Sequence, residues 1–285
     1  MRILLTGATG QIGRELAALL GEHELYAPTH AECDLADAAS VRAAVRGFHP
    51  DLILNPAAYT AVDRAEEEPE LAQAINADAP AILADEARRI GIPLIHFSTD
   101  YVFSGAARSP YTEVDPTGPL NVYGRTKLAG EEAVTGSGCI HLILRTSWVY
   151  SRHGRNFLLT IERLAREKPE LSIVDDQFGT PNWACALARA ATRLAVLPRD
   201  ELSEKSGLYH LTGAGQATWH QFAVAIVDSM NLPKPPPVHA IRSVQYPTPA
   251  KRPAYAVLSA SKLGRNFGIA LSHWEDALKE CQSRS

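Results

Sequence analysis

The first half of the chain alternates short apolar runs with longer stretches of helical periodicity. We interpret residues 2–6, 25–27, 51–55, 94–97 and 139–144 as strands, and residues 12–20, 38–48, 71–90 and 120–134 as the helices between them. Strands that alternate with helices in this way are typical of a parallel sheet covered on both faces. The pattern therefore predicts an α/β fold with a Rossmann-type, doubly wound parallel sheet.

The second half is less regular. Helical periodicity recurs at residues 157–167, 183–197, 219–230 and 274–281, and residues 233–237 contain four prolines in a stiff connector. We expect residues 1–150 to form a dinucleotide-binding domain. Residues 151–285 are expected to form mainly a smaller, mixed α/β substrate-binding lobe, with some of the chain crossing back to the first domain.

Composition narrows the class of protein. Of the 285 residues 46% are hydrophobic and 21% are charged, as in an ordinary globular protein, and the net charge is −4 without a dense basic cluster. Nucleic acids and anionic membranes are therefore poor partners. The four cysteines are far apart, and no run of about 18 apolar residues is present. We expect a cytoplasmic protein with reduced thiols.

A glycine-rich turn follows the first strand. Gly7, Gly10 and Gly13 stand where a tight turn, a close approach to a pyrophosphate and the packing of a helix on its strand require glycine. The N–H groups at the start of the helix would attract the anion. The spacing G-x-x-G-x-x-G differs from that of ordinary dehydrogenases, and a plain strand–helix turn is the alternative interpretation.

The choice of nicotinamide coenzyme depends on the end of the second strand. An acid there would bind the ribose 2′-hydroxyl and an arginine would accept a 2′-phosphate, but residues 26–30 contain neither. We therefore expect NADPH as the coenzyme, with NADH also accepted. Asp34 and Leu35 follow, where a carboxylate could meet the adenine; a helix-capping aspartate is the alternative.

Tyr123 and Lys127 lie four residues apart, and such residues share one face of a helix. An ammonium beside a phenol favours its ionised form, so we expect a lowered pKa at Tyr123. A tyrosine of this kind can protonate a developing alkoxide. Thr99 stands twenty-four residues before Tyr123, after the fourth strand.

Together these motifs resemble an extended short-chain dehydrogenase/reductase. The match narrows at residues 57–63, 98–105, 121–131, 145–150, 176–181 and 246–249. These blocks resemble the dTDP-4-dehydrorhamnose reductases from residue 3 to about residue 260. The resemblance implies an NAD(P)H-dependent oxidoreductase that converts dTDP-4-dehydro-6-deoxy-L-mannose to dTDP-L-rhamnose.

The resemblance also implies roles for individual residues. Tyr123 would protonate the C4 oxygen, Lys127 would lower its pKa and hold the nicotinamide ribose, and Thr99 would hydrogen-bond the carbonyl or the phenol. Further cofactor contacts would come from Gly10, Gln11, Ile12, Ala58, Tyr59 and Thr60.

Asp100 and Trp148 would contact the substrate. A buried loop anchor is the equal alternative for Asp100. Ordinary packing between lobes is the alternative for Trp148, because large aromatic residues are usually buried. Gln177 is either a turn residue or a contact to thymidine.

Some relatives dimerise around magnesium bound by glutamates. Glu15 and Glu275 fall at matching places, but Cys185 occupies the third position, and a thiolate is a poor ligand for a hard cation. We therefore expect no metal site, and either a monomer or a homodimer.

Related enzymes share the fold and the Tyr/Lys pair. Dehydratases carry Thr-Asp-Glu where this chain has Thr99, Asp100 and Tyr101, so the elimination of water is not expected. Another nucleotide-sugar 4-ketoreductase, an epimerase that retains NAD, and a non-catalytic nucleotide-sensing subunit are the remaining alternatives.

Overall fold

A computed structural model describes residues 1–283 of the chain. Its strands are β1 Arg2–Leu5, β2 Glu24–Tyr26, β3 Leu52–Asn55, β4 Leu94–Thr99, β5 His141–Thr146, β6 Val149–Tyr150, β7 Leu171–Val174, β8 Phe178–Gly179, β9 Asn182–Trp183, β10 Gly207–His210, β11 Ala217–Thr218 and β12 Val238–Ile241. Six of them form one sheet in the order β2-β1-β3-β4-β5-β10, and every neighbouring pair is parallel. The predicted Rossmann-type α/β fold is confirmed.

The helices alternate with the strands as the periodicity predicted. They are α1 Gln11–Leu19, α2 Ala38–Phe48, α3 Val62–Ala65, α4 Pro69–Gln73, α5 Ala79–Ile90, α6 Val122–Ser137, α7 Phe157–Glu167, α8 Ala184–Ala195, α9 Arg199–Glu204, α10 Trp219–Ser229, α11 Ser261–Phe267 and α12 Trp274–Ser283. No helix within residues 1–283 combines the length and the apolar character that a membrane span requires.

Alternate residues of each central strand face opposite layers of helices. Ile3 and Leu5 pack in the core shared with α1 and α8, whereas Leu4 packs in the core shared with α2, α5 and α6. This two-residue period explains why apolar residues follow one another in these strands, since both faces of a parallel sheet are buried.

The helix predicted at residues 71–90 is not α-helical throughout. A π turn over residues 74–78 separates α4 from α5, with the Ala79 N–H bonded to the carbonyl of Ala74. Pro80 has no N–H to donate to the carbonyl of Asn76, four residues before it. That carbonyl lies against Gly130 of α6, where a Cβ would be 2.2 Å from the oxygen. The two helices therefore pack closely at the π turn.

A second hydrophobic core lies in the smaller part of the chain. It contains side chains of α7, α10 and α12, including Leu158, Phe222 and Trp274. Three two-stranded sheets, β7 with β12, β8 with β11 and β6 with β9, accompany these helices.

The chain beyond residue 150 also builds the larger layer. Strand β10, which the apolar pattern did not predict, pairs with β5, and α8 and α11 contribute Leu187 and Leu263 to the core beneath the sheet. The division at residue 150 into a coenzyme domain and a substrate lobe stays a prediction about function.

Candidate active site

The turn after β1 needs glycine at two positions. Gly7 has φ +62°, and a Cβ there would lie 2.8 Å from the Cα of Ala57. A Cβ on Gly13 would lie 2.1 Å from the Gly7 carbonyl oxygen, which also accepts a hydrogen bond from the Gly10 N–H at 2.9 Å. The start of α1 therefore lies directly on the turn, as its spacing predicted.

A groove of about 540 Å³ opens beyond the carboxyl ends of β1, β2 and β3. It lies where the strand order reverses around β1, the usual ligand site of such sheets. The predicted cofactor residues that line it are Gly7, Gly10, Gln11, Ile12, Gly13, Asp34, Leu35, Ala58 and Thr60. The turn beneath it leaves no space for side chains at Gly7 and Gly13, so the residues present fit a dinucleotide pyrophosphate held by backbone N–H groups.

Asp34 is not the cap of α2. That cap is Asp37, whose carboxylate accepts a hydrogen bond from the Ala39 N–H at 2.9 Å. Asp34 accepts one from the Ala36 N–H at 2.9 Å and lies on the wall of the groove. The helix-capping alternative is therefore wrong.

The Gln11 side chain points away from the glycine-rich loop and toward residues 149–156. Its amide nitrogen donates to the Val149 carbonyl at 3.3 Å, and its oxygen accepts from Ser151 and Asn156 at 3.0 Å each. Asn156 also caps α7 by accepting from the Leu159 N–H. Gln11 thus joins the glycine turn to the start of α7.

Tyr59 is held by its backbone, and its phenol points elsewhere. Its N–H donates to the Asn76 side-chain oxygen at 2.8 Å, and the Asn76 amide nitrogen donates to the Tyr59 carbonyl at 3.1 Å. The phenol donates to Glu68, a hydrogen bond that raises the pKa of Tyr59. The phenol is not part of the groove wall. The sequence did not predict this role of Asn76, because the residue belongs to no recognisable motif.

Tyr123 and Lys127 lie in the first two turns of α6. Asn121 caps this helix by accepting from the Gly124 N–H at 2.8 Å. A Cβ at Gly124 would lie 2.3 Å from the carbonyl oxygen of Tyr101, so the helix begins in direct contact with the turn that follows β4. The Tyr101 and Tyr123 rings meet edge to face, 5.5 Å apart. The structure therefore brings the Tyr/Lys pair to the end of β4.

Lys127 is almost completely buried. Its ammonium donates to the Phe97 carbonyl at 2.7 Å and lies 3.3 Å from Nε2 of His96. Burial lowers the pKa of Lys127 to about 8, against the opposing effect of the Glu131 carboxylate.

The expected lowering of the Tyr123 pKa is wrong for the protein alone. Burial raises the pKa of Tyr123 to about 12, although a hydrogen bond with Thr99 acts in the opposite direction. Burial has the larger effect because moving a phenolate out of water costs more free energy than its hydrogen bonds and the surrounding dipoles recover. Tyr123 therefore keeps its proton at neutral pH and can act as an acid.

Thr99 and Asp100 lie at the end of β4 beside this pair. The Thr99 hydroxyl donates to Asp100 Oδ1 at 3.0 Å and accepts from the Tyr101 N–H at 3.2 Å. The second oxygen of Asp100, Oδ2, is buried and has no hydrogen-bond partner within residues 1–283. Burial raises the pKa of Asp100 to about 7.

Trp148 follows β5 in a left-handed backbone conformation, with φ +42°. Its indole stacks on that of Trp219, with ring centroids 3.5 Å apart and planes 8° apart. A Cβ at Gly179 would lie 2.4 Å from the Trp148 ring. The indole thus packs between β8 and α10, where the two parts of the chain meet.

A second pocket of about 620 Å³ lies beside this stack. Its walls include Trp219, Gln177 and Arg252. Arg252 was not predicted as a site residue, and it forms an ion pair with Asp63 at 2.8 Å. Arg252 also hydrogen-bonds Tyr101, whose ring contacts that of Tyr123. A chain of side-chain contacts therefore leads from the wall of this pocket to Tyr123.

A Rossmann sheet with a glycine-rich turn and a converging threonine, tyrosine and lysine defines the short-chain dehydrogenase/reductase class of nicotinamide-dependent oxidoreductases. Residues 1–285 match the family described as RmlD substrate binding domain, and the chain belongs to this family.

Similar proteins support this assignment. The dTDP-4-dehydrorhamnose reductases of Burkholderia thailandensis and Salmonella typhimurium are 45% and 43% identical to the chain. The first match covers 99% of the chain and 98% of the relative, and the second covers 98% and 96%. A dTDP-4-dehydrorhamnose reductase from Bacillus anthracis, solved with NADP, superposes with a TM-score of 0.93 at 32% identity over 100% of this chain and 99% of that one.

Proposed function

We propose that this protein reduces the C4 keto group of dTDP-4-dehydro-6-deoxy-L-mannose to give dTDP-L-rhamnose, using NADPH and also accepting NADH. The proposal depends above all on one observation: Tyr123 on α6 hydrogen-bonds Thr99 at the carboxyl end of β4, and Lys127, one turn further along the helix, donates to the Phe97 carbonyl of the same strand. The relatives that match nearly the whole chain are named for this reaction.

The coenzyme would lie along the groove after β1. Backbone N–H groups at Gly10, Gln11 and Ile12 would hold its pyrophosphate, aided by the positive end of the α1 dipole. Asp34 and Leu35 would contact the adenine. Ala58 and Thr60 would line the groove, and the Tyr59 backbone between them would fix their loop in place through its hydrogen bonds with Asn76. When bound, the reduced nicotinamide supplies the hydride.

Tyr123 would supply the proton. Hydride addition to C4 produces an alkoxide, a stronger base than a phenolate. Because the pKa of Tyr123 is raised to about 12, its hydroxyl is protonated at neutral pH and transfers its proton to the C4 oxygen as charge develops there. The Lys127 ammonium stabilises the phenolate left behind and would hold the nicotinamide ribose. Thr99 aligns the phenol or the substrate carbonyl.

The substrate would extend from this centre into the second pocket. The cations of Lys168 and Arg252 and the rings of Phe157, Trp219 and Tyr246 line it, a set that suits a nucleoside diphosphate. Asp100 would accept hydrogen bonds from sugar hydroxyls near C4, and Trp148 would pack against the sugar.

A dehydratase activity is not supported by the residue after Asp100. That position is Tyr101, and its pKa is raised by burial, so it cannot act as the base that removes a proton for elimination. The proposal therefore requires one catalytic acid and no further base.

The test is direct turnover of the purified protein. Freshly generated dTDP-4-dehydrorhamnose is added with NADPH, and loss of the reduced nicotinamide absorbance is followed while the product sugar is identified by NMR. We expect one dTDP-L-rhamnose to form for each NADPH oxidised. NADH should also support the reaction, and the ratio of kcat/KM with NADPH to kcat/KM with NADH should be below about a thousand. Coenzyme binding without turnover would contradict the proposal, and tightly bound NAD in the purified protein would favour an epimerase.

A further inference from the structure

A chain of four buried polar side chains runs from the end of β1 through β3 and β4 to α6, beneath the active site. Thr6 Oγ1 lies 2.6 Å from Asn55 Oδ1, Asn55 Nδ2 lies 3.0 Å from His96 Nδ1, and His96 Nε2 lies 3.3 Å from the Lys127 ammonium nitrogen. All four residues are at most 2% exposed. Buried polar groups are costly unless they are paired, so a chain of this kind requires an explanation.

The chain determines how the Lys127 ammonium is oriented. An ammonium has three N–H donors, and the carbonyl of Phe97 and Nε2 of His96 lie within reach of two of them. One donor is left for a ligand on the side of the active site. A phenylalanine in place of His96 would leave a second N–H of a buried cation without an acceptor.

His96 is neutral and can accept this hydrogen bond. Burial, reinforced by the charge of Lys127, holds the pKa of His96 well below its usual value. For Nε2 to accept from an ammonium, the ring proton must sit on Nδ1, facing the Asn55 amide. The Asn55 side chain must then turn its oxygen toward Nδ1 and its nitrogen toward Thr6, an exchange that leaves the shape of the amide unchanged. The Thr6 hydroxyl can accept from that nitrogen as readily as it can donate. The chain therefore fits a charged lysine.

We propose that His96 is a positioning residue for the reduction, acting through Lys127: its Nε2 directs the ammonium toward the phenol and the coenzyme and favours the charged form. The inference rests on the proposed function, because it gives Lys127 a role in turnover.

Other groups also set the charge of Lys127. Glu131 on α6 faces it and favours the ammonium, although that carboxylate is bound by Arg145 of β5 at 2.6 and 2.8 Å. Tyr123 lies one turn earlier on the same helix. Because burial already lowers the pKa of Lys127 to about 8, loss of the His96 acceptor must lower it further. The ammonium would then be lost nearer neutral pH.

The experiment compares His96→Phe with His96→Gln across a pH series. Phenylalanine keeps the ring but removes the acceptor, and a glutamine amide oxygen can reach the position of Nε2. We expect His96→Phe to lower kcat/KM about 10- to 100-fold at pH 7, the range for losing one hydrogen bond to a charged group. In the profile of kcat/KM against pH, the fall in rate on the alkaline side (the alkaline limb) should occur about one pH unit lower than in the wild type. His96→Gln should restore most of the rate and of the limb.

Two further measurements separate positioning from folding. His210 on β10 is also fully buried, so His210→Phe controls for placing an aromatic ring at a buried histidine, and it should leave the limb unmoved. NADPH affinity is measured by fluorescence titration at a series of pH values. As the pH is raised, His96→Phe should begin to lose affinity at a lower pH than the wild type does. An unmoved limb in a folded His96→Phe protein, or equal loss in both His96 variants, would overturn the inference. Absence of wild-type turnover would instead overturn the proposed function.

Discussion

Asn76 donates from its side-chain nitrogen to the Thr126 hydroxyl across 3.1 Å, and so joins the π turn to the catalytic helix α6. The same side chain binds both backbone groups of Tyr59 in the loop after β3. One buried amide thus fixes the position of a loop on the wall of the coenzyme groove relative to the Tyr123/Lys127 helix. π turns are frequent at functional sites, and here the turn brings Asn76 within reach of both elements.

Asn76→Ala should therefore weaken coenzyme binding more than it slows the chemical step. Loss of these hydrogen bonds leaves the Tyr59 N–H without its partner, at a cost of about 1–3 kcal/mol in the free energy of unfolding. We expect a higher KM for NADPH with a smaller change in kcat. Steady-state kinetics and urea unfolding measure both effects. Gln73→Ala, at an exposed position just before the π turn, is the matched control, and an equal effect there would refute the role of Asn76.

Tyr123→Phe removes the acid while keeping the ring that contacts Tyr101. We expect kcat to fall by about 10²–10⁴ with little change in NADPH affinity, because the phenol acts on the transition state. Stopped-flow single turnovers should show that the slowed step is hydride transfer. Tyr209→Phe removes a buried phenol that donates to the Lys205 carbonyl, and it should change stability but not kcat. Retention of most activity by Tyr123→Phe would mean that the proton has another source.

Most of the sheet could be predicted from the sequence because β1, β3, β4 and β5 are rich in apolar residues and alternate with stretches of helical periodicity. Strand β10 could not, since Gly207–His210 has only two apolar residues and becomes a strand by pairing with β5. The π turn was missed for a similar reason. Its cause is Pro80 together with the close approach of Gly130 on another helix, and periodicity carries no information about such a contact.

The catalytic residues could be predicted by spacing, but their electrostatics could not. Four residues on a helix place Tyr123 and Lys127 on one face, whereas their pKa values depend on burial by distant parts of the chain. The ammonium is bound by Phe97 and His96 of β4, so the effect expected on the phenol is outweighed by its desolvation. Similarly, no local signal connects Arg252 to Asp63, which lies far away in the sequence.

Gly13→Ala tests whether close packing of α1 on the turn is needed for coenzyme binding. The new methyl group would lie 2.1 Å from the Gly7 carbonyl oxygen, so the turn or the helix must move. We expect NADPH affinity to fall at least about tenfold, since the backbone N–H groups that would hold the pyrophosphate move with it.

Gly47→Ala in α2 is the control for that change. A Cβ at Gly47 meets nothing within 4 Å, and alanine is favoured over glycine in a helix by about 1 kcal/mol. The variant should therefore bind NADPH as the wild type does and melt at the same or a higher temperature. Equal NADPH affinity of Gly13→Ala and Gly47→Ala in a fluorescence titration would show that the turn does not hold the coenzyme.

Asp100→Asn should reveal the cost of burying a carboxylate whose Oδ2 has no partner within residues 1–283. Burial raises the pKa of Asp100 to about 7, whereas in the unfolded chain it is about 3.9. The folded state therefore binds the proton more tightly. The stabilisation from this proton is fully present below about pH 4 and is lost as the pH rises through about 7. Asparagine resembles the protonated form at every pH. The stability of Asp100→Asn relative to the wild type should thus increase by about 1–3 kcal/mol between pH 4 and pH 8.

Urea unfolding at a series of pH values measures this difference, and Asp115→Asn gives a control of opposite sign. The Thr112 N–H donates to the Asp115 carboxylate at 2.6 Å, and this bond lowers the pKa of Asp115. Its ionised form is therefore the stabilising one: the benefit is fully present above about pH 4 and is lost only as the pH falls through that lowered pKa. The stability of Asp115→Asn relative to the wild type should therefore stay level from pH 4 to pH 8 and increase only when the series is extended below pH 4. A relative stability of Asp100→Asn that stays flat from pH 4 to pH 8 would show that Asp100 is ionised throughout. In that case the carboxylate would be an acceptor for sugar hydroxyls at every working pH, and the Thr99 hydroxyl would remain committed to it.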